Sequence, residues 1–264
     1  MIVDRAAAVL AEHGIEAPRV DAEWIVAHVA RVGRAELTTA ELDDAGVWPL
    51  VQRRANREPL AYVLGEWGFR RLTLRCDERA LVPRPETETV VERCVELLRE
   101  VSSPRLLDVG TGTGAIALAL ADELPGADVV AMDSSREALS LAAENAALTG
   151  LAIRPVEQDL FEGLPPGPFD LVVSNPPYVD EGELAGLEQE VRDWEPREAL
   201  VDRGQTQALA RAALDVLRPR GLLVLEIHEE RAEGTRALME QLGYGVTISA
   251  DLAGRDRVVE GERP

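Results

Sequence analysis

The chain has 264 residues, 46% of them hydrophobic, which suffices for one large folded domain or two smaller ones and is too much for a disordered chain. Its formal charge is −20 and every basic residue is arginine, so the average surface repels polyanions and argues against a non-specific nucleic-acid binder. Cys76 and Cys94 are isolated, and His13, His28 and His228 lack ligand spacing, so neither a disulfide framework nor a metal site is expected. No run is apolar enough to span a membrane, and the acidic, amphipathic start is unlike a signal peptide, so a cytoplasmic protein is expected.

Residues 1 to about 65 predict a small helical bundle, with Val3, Ala7, Leu10 and Ala11 at helical spacing. Asp21 is expected to cap a helix carrying Trp24, Ile25, Val26 and Val29, while Gly14, Gly33 and Pro49 punctuate the stretch. Over 66–83 the pattern becomes strand-like, with Trp67, Phe69, Leu72 and Leu74 among polar residues. A β-hairpin linker is expected there, with a turn at Cys76-Asp77-Glu78. The acidic residues of Pro83-Arg84-Pro85-Glu86-Thr87-Glu88 suit the first turn of a helix starting near Pro85.

From residue 105 strands and helices alternate. Strands are predicted at 105–109, 128–132, 153–158, 170–174, 222–227, 246–250 and 257–260, and helices at 115–124, 135–148, 205–217 and 231–242. The alternation predicts a doubly wound α/β sheet. The organisation read from the sequence is therefore a helical domain (1–65), a hairpin linker (66–83) and an α/β domain (84–264). The acidic stretch 179–203 has little periodicity and reads as a solvated face or as a cover over a site.

Two motifs carry chemistry. In Leu106-Leu107-Asp108-Val109-Gly110-Thr111-Gly112-Thr113-Gly114 a buried strand enters a glycine-rich turn and then a helix, whose first N–H groups suit an anion or carboxylate. Asp133, at the end of the next strand, can accept both ribose hydroxyls of an adenosine group. The pair points to a nucleoside cofactor. Gly110-x-Gly112-x-x-Ala115 alone also fits a dinucleotide, and hence a dehydrogenase. The second motif, Asn175-Pro176-Pro177-Tyr178 at the end of the fourth strand, decides between them. Its prolines have no N–H, so carbonyls and the Asn175 oxygen present acceptors to an –NH2 group, on which Tyr178 can stack. Such a site holds a nitrogen in line for attack on a sulfonium methyl.

An N-P-P-Y after a glycine-rich strand–helix turn resembles the amino-group methyltransferases, which act on adenine N6 or on protein glutamine N5. Further segments favour the second group: Arg57–Glu66, Trp67-Gly68-Phe69, Leu81–Glu88, Glu195-Pro196 with Ala199-Leu200, and Asp251–Val258. Together they resemble, over nearly the whole chain, the HemK/PrmC-type peptide chain release factor glutamine methyltransferases. The resemblance implies a Rossmann-like fold using S-adenosyl-L-methionine, an N-terminal domain that docks the substrate, and class I release factors (their GGQ loop) as partners. It implies no direct nucleic acid, no membrane and a monomer.

By the same resemblance, Gly110, Thr111, Gly112, Thr113 and Gly114 would line the methionine portion of the cofactor, Asp133 its ribose, and Asp159 and Leu160 its adenine. Asn175 would border the cofactor and, with the Pro176 carbonyl, hold the glutamine amide, while Pro177 and Tyr178 would shape its slot. Leu160 departs from relatives that carry an aromatic residue there. His228 departs from those with glycine after the Glu-Ile pair, and reads as a helix-entry residue without a catalytic role. An adenine N6 methyltransferase acting on DNA or RNA is the alternative enzyme, and a catalytically silent cofactor-binding protein the non-enzyme.

Overall fold

A computed structural model describes residues 2–37 and 44–264; Met1 and the part of the expected helical stretch at 38–43 lie outside the described residues. The chain opens with α1 (Ile2–Glu12), α2 (Pro18–Ala30), α3 (Asp44–Ala55), α4 (Leu60–Leu64), β1 (Glu66–Phe69), β2 (Leu72–Arg75) and α5 (Thr87–Leu98). It continues with β3 (Arg105–Val109), α6 (Ala115–Glu123), β4 (Asp128–Asp133), α7 (Arg136–Thr149), β5 (Arg154–Glu157) and β6 (Phe169–Ser174). It closes with α8 (Gln189–Trp194), α9 (Arg197–Leu200), α10 (Gln205–Val216), β7 (Leu217–Glu226), α11 (Ala232–Gln241), β8 (Gly245–Ala250) and β9 (Asp256–Glu262). One unit comprises the residues up to Glu66 together with Leu187–Trp194; Trp67–Gly186 and Glu195–Pro264 form the other.

In the first unit α1 buries Ile2, Ala6 and Leu10 on one stripe, while Val3 and Ala7 are half-buried. Asp21 does not cap α2. Pro18, pre-set for a first helical position, starts the helix earlier with Ala17 at its N-cap. Asp21 therefore lies inside the first turn, buried, and accepts from Arg54 Nε at 2.7 Å. Pro49 does not break the chain either. It sits within α3, where burial of Val47 and Val51 outweighs one missing N–H donor. Glu190 of α8 ties into the same unit, accepting from Arg54 Nη1 at 2.8 Å and Arg57 Nη2 at 2.6 Å.

The second unit begins with the expected hairpin, but the reversal is not at Cys76-Asp77-Glu78. The chain turns at Arg70-Arg71, with Arg70 in the left-handed region at φ +52°. Glu88 accepts the Arg70 N–H at 2.9 Å, and Glu123 takes its guanidinium at 2.8 and 2.7 Å, which holds that conformation without a glycine.

The main sheet has the order β5-β4-β3-β6-β7-β9-β8. The first five pair in parallel, and β9 is antiparallel to both β7 and β8. Side chains alternate between two cores. Leu106, Val129, Ala131, Leu171 and Val173 pack with α5 and α6, while Leu107, Val130, Met132, Val172 and Leu223 pack with α10 and α11. Because both faces are covered, the strands read as near-continuous apolar runs. The direction of winding reverses between β3 and β6, so a crevice opens beyond their carboxyl ends. No helix among the described residues is long and apolar enough to cross a membrane.

Candidate active site

β3 delivers the glycine turn to that crevice. Gly110, Gly112 and Gly114 all have positive φ (+74°, +55° and +82°). The N–H groups of Gly110 and Thr111 donate to the Met132 carbonyl at 2.8 and 3.0 Å, which curls the turn over the end of β4. Asp133 accepts from Gly112 N and Ser135 N, both at 2.9 Å, one on each carboxylate oxygen. Each oxygen keeps a lone pair for a further donor. Burial raises the Asp133 pKa, against the lowering effect of these N–H groups.

The two threonines of the turn are structural within it. Thr111 is buried and its hydroxyl donates to Asp108 Oδ2 at 2.7 Å, while the buried Thr113 offers its carbonyl to Asn145 Nδ2 at 2.9 Å. Asn145 is the residue that sequence reasoning missed. Fully buried on α7, it also bonds the backbone of Arg75 twice, at 2.7 and 3.1 Å, so one side chain clamps the glycine turn to β2. A polar residue inside an otherwise ordinary helix was the one available signal.

Gly110, Thr111, Gly112, Thr113, Met132 and Asp133 line a cleft of about 620 Å³, a volume suited to a nucleoside-sized ligand, whereas Gly114 faces Ala142 and Leu118 and lies outside that lining. Asp159 and Leu160 stand on its rim beside Phe161, which is 56% exposed. Asp159 Oδ1 accepts the Phe161 N–H at 2.9 Å, so it shapes this corner locally. The aromatic surface that Leu160 lacks is thus supplied by its neighbour.

Asn175, Pro176 and Pro177 enter the same cleft from the end of β6. The buried Ser174 hydroxyl donates to the Val109 carbonyl at 2.6 Å and fixes the two strand ends together. Asn175 Nδ2 donates to Thr87 Oγ1 at 3.2 Å, which leaves its Oδ1 as an acceptor. Among the described residues no backbone donor is bonded to the Pro176 or Pro177 carbonyl. Tyr178 is set apart from the other three. It lines an adjoining hollow of about 370 Å³ with Glu226 and His228, its ring centroid 6.1 Å from that of His228. His228 itself caps the short 3-10 turn that leads into α11. Arg84 lines the main cleft and donates to both oxygens of the buried Glu195 at 2.7 and 2.6 Å.

Residues 92–250 match the family model described as Methyltransferase small domain, and residues 2–65 match the PrmC N-terminal domain. The chain is 42% identical to a release factor glutamine methyltransferase of Deinococcus radiodurans, over 99% of this chain and 97% of that one. It is 40% identical to the protein of that name from Chlorobaculum tepidum, over 95% and 92% of the two chains. The chain belongs to the release factor glutamine methyltransferase family. Its fold is also similar to a T. thermophilus 16S rRNA N2 G1207 methyltransferase solved with AdoMet and guanosine, at a TM-score of 0.56 and 21% identity over 75% of this chain and 50% of the other.

S-adenosylmethionine is the cofactor of this methyltransferase, and the cleft fits it. A Cβ built on Gly110 meets nothing within 4 Å, so the backbone leaves open space at the floor of the cleft. Asp133 offers acceptors for diol hydroxyls, and Phe161, Leu160 and Met132 offer apolar surface for a base.

Proposed function

We propose that the chain methylates the side-chain amide nitrogen, N5, of the glutamine in the GGQ motif of class I peptide chain release factors. S-adenosylmethionine, when bound, supplies a sulfonium-activated methyl group. An amide nitrogen is a weak nucleophile because its lone pair is delocalised, so the site must align it and draw on its hydrogens. In this reading Asn175 Oδ1 and the Pro176 carbonyl accept the two amide hydrogens, and Pro177 and Tyr178 bound the slot. Gly110–Gly114 and Asp133 hold the methionine and ribose ends of the cofactor, with Asp159, Leu160 and Phe161 around the adenine.

The observation that carries the proposal is the turn after β6, whose prolines lack N–H donors and whose Asn175 Nδ2 is taken up by Thr87, so that it opens acceptors into the cleft of the glycine loop. Residues 1–65 form the docking domain for the release factor in this reading, 66–83 the linker and 84–264 the catalytic domain. The enzyme acts as a cytoplasmic monomer without binding nucleic acid directly, in keeping with the charge of −20.

The test offers labelled S-adenosylmethionine with purified release factor or with DNA, and locates the methyl group by mass spectrometry. The expected product is N5-methylglutamine in the GGQ loop. Label on adenine N6 and none on glutamine overturns the proposal. Asn175→Ala is expected to lower turnover by about a hundredfold or more while cofactor affinity by calorimetry stays within about threefold. Unchanged turnover removes Asn175 from the site.

A further inference from the structure

Residues 195–205 form one wall of the cofactor cleft, to which Pro196, Glu198, Ala199, Arg203 and Gln205 contribute. The wall is pinned at both ends. Arg84 donates to Glu195 at 2.7 and 2.6 Å. Further along, Val179 N donates to the Leu200 carbonyl at 3.0 Å and Asp202 N to the Val179 carbonyl at 2.9 Å. Arg231 Nη1 holds the Asp202 carboxylate at 3.1 Å. Val179 directly follows Tyr178, so the wall stands at the Asn175 end of the cleft. The backbone around Arg203 is fixed as well: its N–H donates to Gln205 Oε1 at 2.5 Å, and Gly204 N to Asp202 Oδ1 at 2.7 Å.

Most charged side chains of the cleft are engaged within the protein. Asp77 and Glu144 take Arg79, and Glu195 takes Arg84. Backbone N–H groups occupy Asp133 and Asp159, and the Ser135 hydroxyl donates to Glu137 at 3.3 Å. Glu198 and Arg203 differ. Both are exposed and line the cleft, and among the described residues neither side chain has a hydrogen bond or an ion pair. In a chain with 48 acidic residues, an arginine beside a cleft without a carboxylate stands out from Arg79 and Arg84.

S-adenosylmethionine carries one charge of each sign at its methionine end. An α-carboxylate and an α-ammonium share a carbon that lies a short chain away from the sulfonium. We propose that Arg203 and Glu198 clamp this zwitterion, Arg203 taking the α-carboxylate and Glu198 the α-ammonium. A guanidinium suits the first role because its N–H groups meet a carboxylate in pairs, and a carboxylate suits the second because it only accepts. The glycine loop offers backbone N–H groups and space but no formal charge, so the clamp is what distinguishes the intact amino acid from a bare nucleoside thioether. The placement rests on the function proposed above, in which the methyl group meets a nitrogen held at Asn175.

The experiment is calorimetry on the full chain with three ligands. They are S-adenosylmethionine, its decarboxylated analogue, which keeps the amine, and methylthioadenosine, which has neither group. Both side chains are exposed and unbonded, so neither substitution threatens the fold. Arg203→Ala is expected to bind S-adenosylmethionine about tenfold more weakly than wild type, and the decarboxylated analogue within about twofold of wild type. Glu198→Gln is expected to weaken both amine-bearing ligands by about fivefold to tenfold and to leave methylthioadenosine unchanged. Wild-type affinity for S-adenosylmethionine in Arg203→Ala, or an equal loss for the decarboxylated analogue, overturns the carboxylate role. Unchanged binding of both amine-bearing ligands by Glu198→Gln overturns the ammonium role. A raised KM for release factor with unchanged cofactor affinity gives the wall to the polypeptide substrate and overturns the clamp. Methylation of the GGQ glutamine by wild type is measured separately; its failure overturns the proposed function, whereas these affinities concern the cofactor alone.

Discussion

Asp108 shows how much a single side chain in this site depends on its surroundings. It is fully buried at the heart of β3, accepting from Thr111 Oγ1 at 2.7 Å and Ala117 N at 3.2 Å through Oδ2, with Oδ1 unpartnered among the described residues. Burial pushes its carboxyl up to about 7, and the two hydrogen bonds do not offset that. A carboxyl whose folded pKa lies above its unfolded one binds more protons in the folded state. Its contribution is complete below the ordinary carboxylate pKa and is lost as pH rises through about 7. Glu226 acts in the same direction, whereas lowered groups such as Asp77 and Glu123 titrate below this window. The melting temperature of the wild type is therefore expected to fall from pH 5 to pH 8, and Asp108→Asn to reduce that fall. A wild-type melting temperature flat across the window, or an asparagine variant that falls as steeply, contradicts the assignment. None of this could be read from the sequence, where Asp108 is one of 48 acidic residues. Asn175 was legible because its two following prolines mark it. Thr87 and Asn145 were not, because what distinguishes them is burial and a partner 88 or 32 residues away, respectively, along the chain.

The glycine turn after β3 separates binding from folding within one element. Gly110 and Gly114 share left-handed φ, so alanine at either costs about 1–2 kcal/mol in the backbone alone. Their surroundings differ. A Cβ on Gly114 would lie 3.2 Å from both Ala142 Cβ and Leu118 Cδ1, inside the buried seam of α6 and α7. A Cβ on Gly110 would project into open space in the cleft. Gly114→Ala is thus expected to lose about 2–4 kcal/mol by denaturant titration. Gly110→Ala is expected to lose less stability but at least about tenfold in cofactor affinity by calorimetry. Equal affinity in wild type and Gly110→Ala contradicts the proposed cradle. The elements on either side of this turn were legible to within a residue or two, because alternation and glycine punctuation are local signals. The hairpin reversal was not, since Arg70 is held at positive φ by Glu88 and Glu123, which are distant in sequence. Pro49 misled for the opposite reason: a strong local signal was overridden by packing of its helix.

Across the molecule a charge of −20 without lysine makes arginine the source of every side-chain cation apart from protonated histidine, and many arginines bridge segments far apart in sequence. The first unit uses such bridges across a break in its chain. Its chain is discontinuous, and Leu187–Trp194 joins it through Glu190, one carboxylate shared by Arg54 and Arg57. The Glu190 side chain is only 12% exposed, so the pairs are poorly screened by solvent. Arg54 reaches onward to Asp21 of α2, and Arg57 to the Gly14 carbonyl at the end of α1, so α1, α2, α3 and α8 meet at one cluster. Replacing Glu190 leaves Arg54 paired with Asp21 and leaves Arg57, among the described residues, with the Gly14 carbonyl as its remaining acceptor. Glu190→Ala is therefore expected to cost about 1–3 kcal/mol, less than the loss of a fully buried ion partner. The loss should be local. Amide exchange is expected to quicken in α2, α3 and α8, and to stay unchanged in β3, β4 and β6, whose cores contain no residue of this cluster. Glu190→Gln keeps the shape and one acceptor oxygen, and is expected to fall between wild type and alanine. Exchange that quickens equally in both units would show that Glu190 stabilises the whole chain, and would remove the reason for treating the 187–194 segment as part of the helical unit.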